Sequence, residues 1–292
     1  MNLEEYRNRK KQNVEIIEGA LPKAIFDISP KQKVVFSQGN LQFRKWNEHK
    51  TLEGTAKGTW RFAKNQYDFI GEKVPNNLAL NGWVDLFGWG TSGWQGRDPW
   101  MTSGKDEDYW INGRMLPINS RVSCSFGDWG VYNAISNGGN EPGLWRTLNH
   151  DEMIYLMTHN KGWTIGRVIG KWCMLLFPDS FPLNQFSYIK PQYTACWKEE
   201  NNGSLEFFRY TADYFPQLEE LGVVALPFSG YCSEGKIFDV GVSGSIWLSS
   251  VNSPTENNPY CPHLLWYTQS QVYWGYSYQR SYCRPVRLVH DL

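Results

Sequence analysis

The chain has 292 residues with 15 Trp, 16 Tyr, 15 Phe, 27 Gly and 15 Pro, and its 29 Lys plus Arg balance 29 Asp plus Glu. A formally neutral chain has no general electrostatic hold on nucleic acid or an acidic membrane, and no apolar run nears about 18 residues, so neither a nucleic-acid partner nor a membrane span is expected. The length suffices for one large domain or two ordinary ones and for a real core, and the Gly, Pro and aromatic content predicts many turns between short strands.

Residues 1–25 are polar and charged, with Val14, Ile16 and Ile17 as scattered apolar positions, and read as a helix or an arm. The basic run at 7–11 lies near Glu4, Glu5 and Glu15 and reads as a solvated segment. The start, Met1-Asn2-Leu3-Glu4-Glu5, lacks the cationic-then-apolar pattern of a secretory leader. That leaves three routes open: exit by another means such as host lysis, a trimmed chain, or an intracellular place. Short strands are expected at 33–37 and 41–43 around the Gly39-Asn40 turn, and at 59–63. The stretch 46–57 reads as an exposed loop, and 82–100, rich in Gly and Trp, as irregular packed chain.

A short helix is expected over 128–135, ending at Asn137-Gly138. The clearest helix runs over 150–159. Asn149 is its cap, Glu152 closes a capping box, and Leu148 with Met153 forms a hydrophobic staple. Ile154 and Met157 extend that apolar face. A second helix is predicted over 214–221, with Pro216 in its first turn and Gly222 as its stop. Strands follow at 223–227, 236–240, 245–249, 264–268 and 285–289. The pattern predicts an N-terminal arm over 1–25 and one α+β domain over 26–292, with large ordered loops.

The sequence carries no catalytic constellation among its short motifs. Gly88-Trp89-Gly90-Thr91-Ser92-Gly93 has GxGxxG spacing, but Trp94-Gln95-Gly96-Arg97-Asp98-Pro99 cannot open the helix that a dinucleotide needs. No phosphate-binding GxxxxGK loop and no HExxH pair is present, and Gly241-Val242-Ser243-Gly244-Ser245 departs from a nucleophile elbow at its last position. His150 and His159 fall about 180° apart around one helix and cannot share a metal. His49 and His290 read as surface residues, and His263 as a contact residue. The run Asp106-Glu107-Asp108 reads as a solvated loop in preference to a calcium site. Asn202-Gly203-Ser204 is a glycosylation sequon without a leader to make it usable. Six cysteines, at 124, 173, 196, 232, 261 and 283, lack CxxC spacing and are expected to be free. No catalytic residue, cofactor or metal is expected.

The densest signal lies between Tyr260 and Val289. There Tyr260, Trp266, Tyr267, Tyr273, Trp274, Tyr276, Tyr278 and Tyr282 alternate with Ser, Gln, His and Arg. Rigid amphipathic rings give contact area at low entropic cost, which suits a binding surface. They also suit the half-buried outer face of a sheet, and composition does not choose.

Eight segments in order carry a resemblance. They are Val35-Phe36-Ser37-Gln38-Gly39-Asn40-Leu41-Gln42, Trp60-Arg61-Phe62-Ala63-Lys64-Asn65-Gln66-Tyr67, Asp85-Leu86-Phe87-Gly88-Trp89-Gly90-Thr91-Ser92-Gly93, Asp128-Trp129-Gly130, Trp145-Arg146-Thr147-Leu148, Ala225-Leu226-Pro227, Trp247-Leu248-Ser249-Ser250 and Val286-Arg287-Leu288-Val289. Over about residues 33–289 the chain resembles the FISUMP-like proteins of Bacteroidetes, which share a C-type-lectin-like fold with the formylglycine-generating enzyme. Some of that group are variable proteins of diversity-generating retroelements, in which mutagenic reverse transcription rewrites chosen C-terminal codons. The resemblance implies short twisted antiparallel sheets, two or three short helices, and a variable segment over about 250–285. It implies a scaffold role for Trp247, Arg280 and the ending Val286-Arg287-Leu288-Val289.

Adenine-directed change of an Asn codon reaches the residues found at Tyr260, Cys261, Pro262, His263, Leu264, Tyr267, Ser270, Tyr273, Tyr276, Tyr278, Ser281, Tyr282 and Cys283, whereas Trp266 and Trp274 lie outside its reach. The implied function is non-enzymatic binding of a protein or glycan receptor on a cell surface, as a phage receptor-binding protein or an adhesin. The expected contact residues are Tyr260, His263, Leu264, Tyr267, Ser270, Tyr273, Tyr276, Tyr278, Ser281, Tyr282, Cys283 and Arg284. The alternatives are a formylglycine-generating-type oxidase, with Cys261 and Cys283 as its candidate thiols, and a structural FISUMP-like module. Three departures stand out. Ile246-Trp247-Leu248-Ser249-Ser250 replaces the group's Tyr-Trp-Ser-Ser, Glu141-Pro142-Gly143 lacks the Asn of a calcium–sugar tripeptide, and the spacing of Cys261 and Cys283 does not match the enzyme's pair.

Overall fold

The computed structural model describes residues 17–45, 58–71, 82–91, 110–111, 114–115, 127–186, 189, 191, 208–210, 214–233, 236–252, 261–278, 280 and 282–292. The expectations placed on 1–16, 46–57, 92–100, Asp106, Cys124, Cys196, Asn202, Tyr260 and Ser281 lie outside the described residues. Within them the chain is α+β and rich in sheet. Short, mostly antiparallel strands form several small sheets, with three helices beside them.

Strands are numbered along the chain. One sheet joins its two ends: β1 (Ala20–Ser29), β2 (Gln32–Ser37), β18 (Leu288–Asp291) and β8 (Arg146–Thr147) lie in that order, all antiparallel. A second has the order β11 (Phe208–Tyr210), β9 (Trp163–Val168), β10 (Lys171–Leu176), β12 (Val224–Pro227), with β11 parallel to β9. A third is the antiparallel meander β15 (Ser243–Val251), β16 (Pro262–Thr268), β17 (Val272–Ser277). A fourth places β3 (Leu41–Lys45) between β4 (Gly58–Phe62) and β5 (Trp83–Val84). Two hairpins complete the set: β6 (Trp110–Ile111) with β7 (Arg114–Met115), and β13 (Tyr231–Ser233) with β14 (Lys236–Phe238).

The helices are α1 (Trp129–Tyr132), α2 (His150–His159) and α3 (Phe215–Glu220). The α2 signals act as expected. Asn149 Oδ1 accepts from Glu152 N at 2.9 Å, and Glu152 Oε2 accepts from Asn149 N at 2.9 Å, so two of the free N–H groups at this end are satisfied. Leu148, Met153 and Met157 are buried in one core. α3 stops at Gly222, whose φ of 87° suits glycine. α1 is shorter than expected: Asp128 caps it, and Asn133 already returns to extended backbone.

The N-terminal boundary moves. Residues 20–25, expected to belong to the arm, are the first half of β1, with Leu21 and Ala24 buried. Pro22 and Lys23 are both exposed on this edge strand, and its pairing with β2 shifts register between Ala20 and Ile25, which hid the strand's period.

The principal core lies between the first three sheets and α2, with Phe26, Phe36, Met153, Leu156, Met174, Leu226, Leu248 and Leu265 among its members. A second, aromatic core gathers Phe43, Trp60, Phe62, Phe87, Trp89, Trp129, Trp145 and Trp247. Three of its indoles donate to buried main-chain oxygens: Trp89 to Leu248 at 2.8 Å, Trp145 to Gly138 at 2.9 Å and Trp247 to Phe87 at 2.7 Å. β10 serves two cores. Met174 and Leu176 face the principal one, and Cys173 and Leu175 face a third around Phe215 and Leu218.

Two buried carboxyls give the fold a pH signature. Asp85 Oδ2 accepts from Ile70 N at 2.8 Å, and Asp128 Oδ1 accepts from Gly130 N and Thr147 N. Desolvation outweighs those bonds and pushes each carboxyl up to about 6. A raised folded-state pKa gives stability that is full below the unfolded value near 3.8 and lost as pH rises through 6. Asp85→Asn is expected to remove Asp85's share, on the order of 2–3 kcal/mol between about pH 4 and 6. Denaturant midpoints of wild type and variant across that window measure it, and parallel pH profiles contradict it.

Candidate functional site

The β15–β17 meander builds a surface from the two faces of its strands. Side chains alternate, so Leu265, Tyr267 and Val272 face the principal core, while Trp247, Leu264 and Trp266 face the aromatic one. Between the pairs Leu264↔Tyr276 and Trp266↔Tyr273, β17 has one residue more than β16. This β-bulge at Trp274-Gly275 places Tyr273 and Tyr276 on the same face, although their spacing would oppose them in a regular strand. Trp274 turns the other way and packs on the principal core. Gly275 leaves room for α2, since a Cβ there would stand 3.3 Å from His150 Nε2.

The outcome is an unbroken row of rings. Tyr273 lies 6.0 Å from Trp266, Trp266 is stacked 5.9 Å from Tyr276, and Tyr276 is stacked 5.9 Å from Tyr278. Tyr278 meets Tyr282 edge-on at 4.6 Å, Tyr282 lies 5.4 Å from Tyr231, and Tyr231 stacks on Phe238 at 5.4 Å. Tyr276 and Phe238 are exposed, at 37% and 40%, and the rings between them are half-buried. The row therefore offers ring faces to solvent while its members brace one another.

Arg284 lies beneath the row, 4% exposed. Its Cζ is 5.0 Å from the Tyr278 ring centre, 5.1 Å from Tyr231, 5.7 Å from Trp247 and 6.0 Å from Tyr282. Its Nη1 donates to Ser245 Oγ at 3.0 Å. Desolvation lowers the guanidinium to about 10, with the surrounding phenols opposing that shift, so it stays charged at neutral pH. Ring faces directed at this cation are attractive and hold the phenols in place. Burial raises the Tyr278 and Tyr231 phenols, each helped by neighbouring groups, so both keep their protons and offer O–H groups at neutral pH. Arg287 is buried beside them in sequence. Its Nη2 donates to Gln66 Oε1 at 3.1 Å, and Gln66 Nε2 donates to Glu219 Oε1 at 3.0 Å.

The expected contact residues divide sharply. Tyr273, Tyr276, Tyr278 and Tyr282 come together in the row. Ser270 stands apart in the β16–β17 turn, where its backbone N donates to Thr268 Oγ1 at 3.2 Å. Leu264, Tyr267, Cys283 and Arg284 are buried, which corrects their assignment as contact residues. Leu264 fills the aromatic core. Tyr267 lies across Gly244, where a Cβ would collide with its ring, and its hydroxyl donates to Pro227 O at 3.2 Å. Cys283 faces Cys232, and Arg284 supports the row from below. His263 is turned to the α2 side and stacks on His150, with ring centres 4.0 Å apart. Tyr231 and Phe238 were missed, because the hairpin that carries them is distant in sequence. Trp266, excluded from the rewritable positions, is a central ring of the row.

The stacked imidazoles give a separate expectation. Burial, and then repulsion from His150, lowers His263 to about 4. Its ring proton signals should therefore stay flat in an NMR titration between pH 5 and 8, and a midpoint near 6.5 would contradict the stacked placement.

Chemically the surface offers phenol rings with their hydroxyls, exposed ring faces at Tyr276 and Phe238, and a positive charge below. Among the described residues no group of three or more His, Cys, Asp or Glu could hold a metal ion. Compared with known proteins, the chain matches no family model, no curated protein and no solved structure.

Proposed function

We infer that the protein is a non-enzymatic binding protein with a C-type-lectin-like frame, and that the row from Tyr273 to Phe238 is its receptor-binding surface. The observation that carries this reading is the row itself: seven rings in contact, accessible from solvent and braced over a buried cation. Tyr and Trp are the side chains that dominate binding hot spots, and a preformed surface loses little entropy on binding. The pairing of the chain's first strands with its last is consistent with the lectin-like frame. Four of the codon-compatible positions named from the sequence lie in the row, which fits a diversified surface of a retroelement variable protein, either a phage receptor-binding protein or an adhesin. The partner is a protein or glycan on a cell surface. The oxidase alternative loses support at Cys283, because its hydrogen bond to Cys232 and its burial push the thiol well above the ordinary range. An attacking thiolate needs the opposite shift.

The test is a paired screen. Wild type and a Tyr276→Ser/Tyr278→Ser/Tyr282→Ser variant are offered to arrays of cell-surface glycans and proteins. Probes kept by wild type and released by the variant support the reading. A wild type that keeps nothing, or a variant that keeps the same probes, overturns it.

A further inference from the structure

Cys232 and Cys283 occupy directly opposed positions in an antiparallel bridge. Cys232 N donates to Cys283 O at 2.9 Å, and Cys283 N donates to Cys232 O at 2.7 Å. Such a hydrogen-bonded pair has Cα atoms about 5.5 Å apart, inside the range that a disulfide spans. The two thiols are near enough to share a hydrogen bond. Both are 1% exposed and packed with Leu86. Each precedes or follows a ring of the row: Tyr231 adjoins Cys232, and Tyr282 adjoins Cys283, with those rings 5.4 Å apart.

We propose that Cys232 and Cys283 are a disulfide-forming pair that clamps the β13–β14 hairpin to the C-terminal segment directly beneath the aromatic row. The oxidant is a small-molecule disulfide such as glutathione disulfide. One cysteine thiolate attacks it, forming a mixed disulfide and releasing one thiolate. The second cysteine then displaces the other thiolate. Two cysteine S–H groups and one disulfide become one cysteine disulfide and two small thiols, so two electrons pass to the oxidant and the cysteine protons end on the released thiols. In the closed fold both thiols are sealed from solvent, so oxidation proceeds during folding or while the hairpin is open. The clamp closes a loop holding the whole β15–β17 meander, which removes freedom from the unfolded chain.

The experiment refolds the reduced full chain with glutathione disulfide and glutathione, alkylates it, and maps peptides without reduction. The expected result is one linked pair joining Cys232 and Cys283, two hydrogens lighter than the separate peptides, with Cys124, Cys173, Cys196 and Cys261 alkylated. Reduction should then lower Tm by about 5 °C or more, and Cys232→Ala should remove that redox-dependent difference. Recovery of both peptides only in alkylated form, or of Cys283 linked to another cysteine, overturns the proposal. Since the readout is covalent linkage, its failure is distinct from failure of the binding reading.

Discussion

Trp247→Ala is expected to lower the free energy of unfolding by about 4 kcal/mol, at the upper end for a single substitution. Trp247 is fully buried in the middle of β15, between the aromatic core and Arg284. Truncation leaves a void lined by rings that cannot collapse into it, because each is held by its own contacts. It also removes the 2.7 Å indole bond to Phe87 O, which keeps only the bond it accepts from Arg284 N, at a further cost of about 1 kcal/mol. Phe87 N and O in turn bond Arg284 across an isolated bridge, so the support under the row is disturbed. Trp247→Phe separates the two contributions. It keeps most of the volume, loses the N–H, and is expected to cost about half as much. Denaturant unfolding of both variants measures this, and a Trp247→Ala loss below about 1 kcal/mol would place the ring outside the load path.

The parts of the fold legible in the sequence are those with a local cause. α2 was readable because capping box and staple act within one turn. β15 and β16 were found because apolar residues cluster there, although both ends of β15 and the start of β16 moved by two residues. β9 and β10 were not named, for two physical reasons. Both faces of β10 are buried, so Trp172-Cys173-Met174-Leu175-Leu176 shows no period of two. Their turn, Ile169-Gly170, has φ of 50° and 81°, and an Ile there gives none of the Asn-Gly signal that marks such hairpins. The aromatic density of the C-terminal segment located the candidate surface. It did not sort the rings, because sorting depends on the β17 bulge, on Gly244 making a slot for Tyr267, and on a hairpin brought in from residues 231–238.

Replacing Tyr276, Tyr278 and Tyr282 by Ser is expected to dissociate binding from stability, the converse of Trp247→Ala. A hot-spot ring contributes about 2 kcal/mol to binding, or roughly thirtyfold in Kd. Three such changes should therefore reduce affinity at least a hundredfold, even with strong non-additivity among touching rings. Tm should move by only about 2–3 °C, since Tyr276 is exposed and the other two are half-buried. Tyr278 is the member with the most to lose. It stacks on Tyr276, hydrogen-bonds Tyr282 and caps the Arg284 guanidinium. Tyr278→Phe keeps the ring and the cation contact while deleting the hydroxyl, so it should hold affinity within about threefold if ring faces dominate recognition. A Tyr278→Phe loss as large as Tyr278→Ser would transfer the recognition to the phenol O–H groups. Unfolding of the triple variant at ambient temperature would instead show the row to be structural, with its outward rings serving the fold and not a partner.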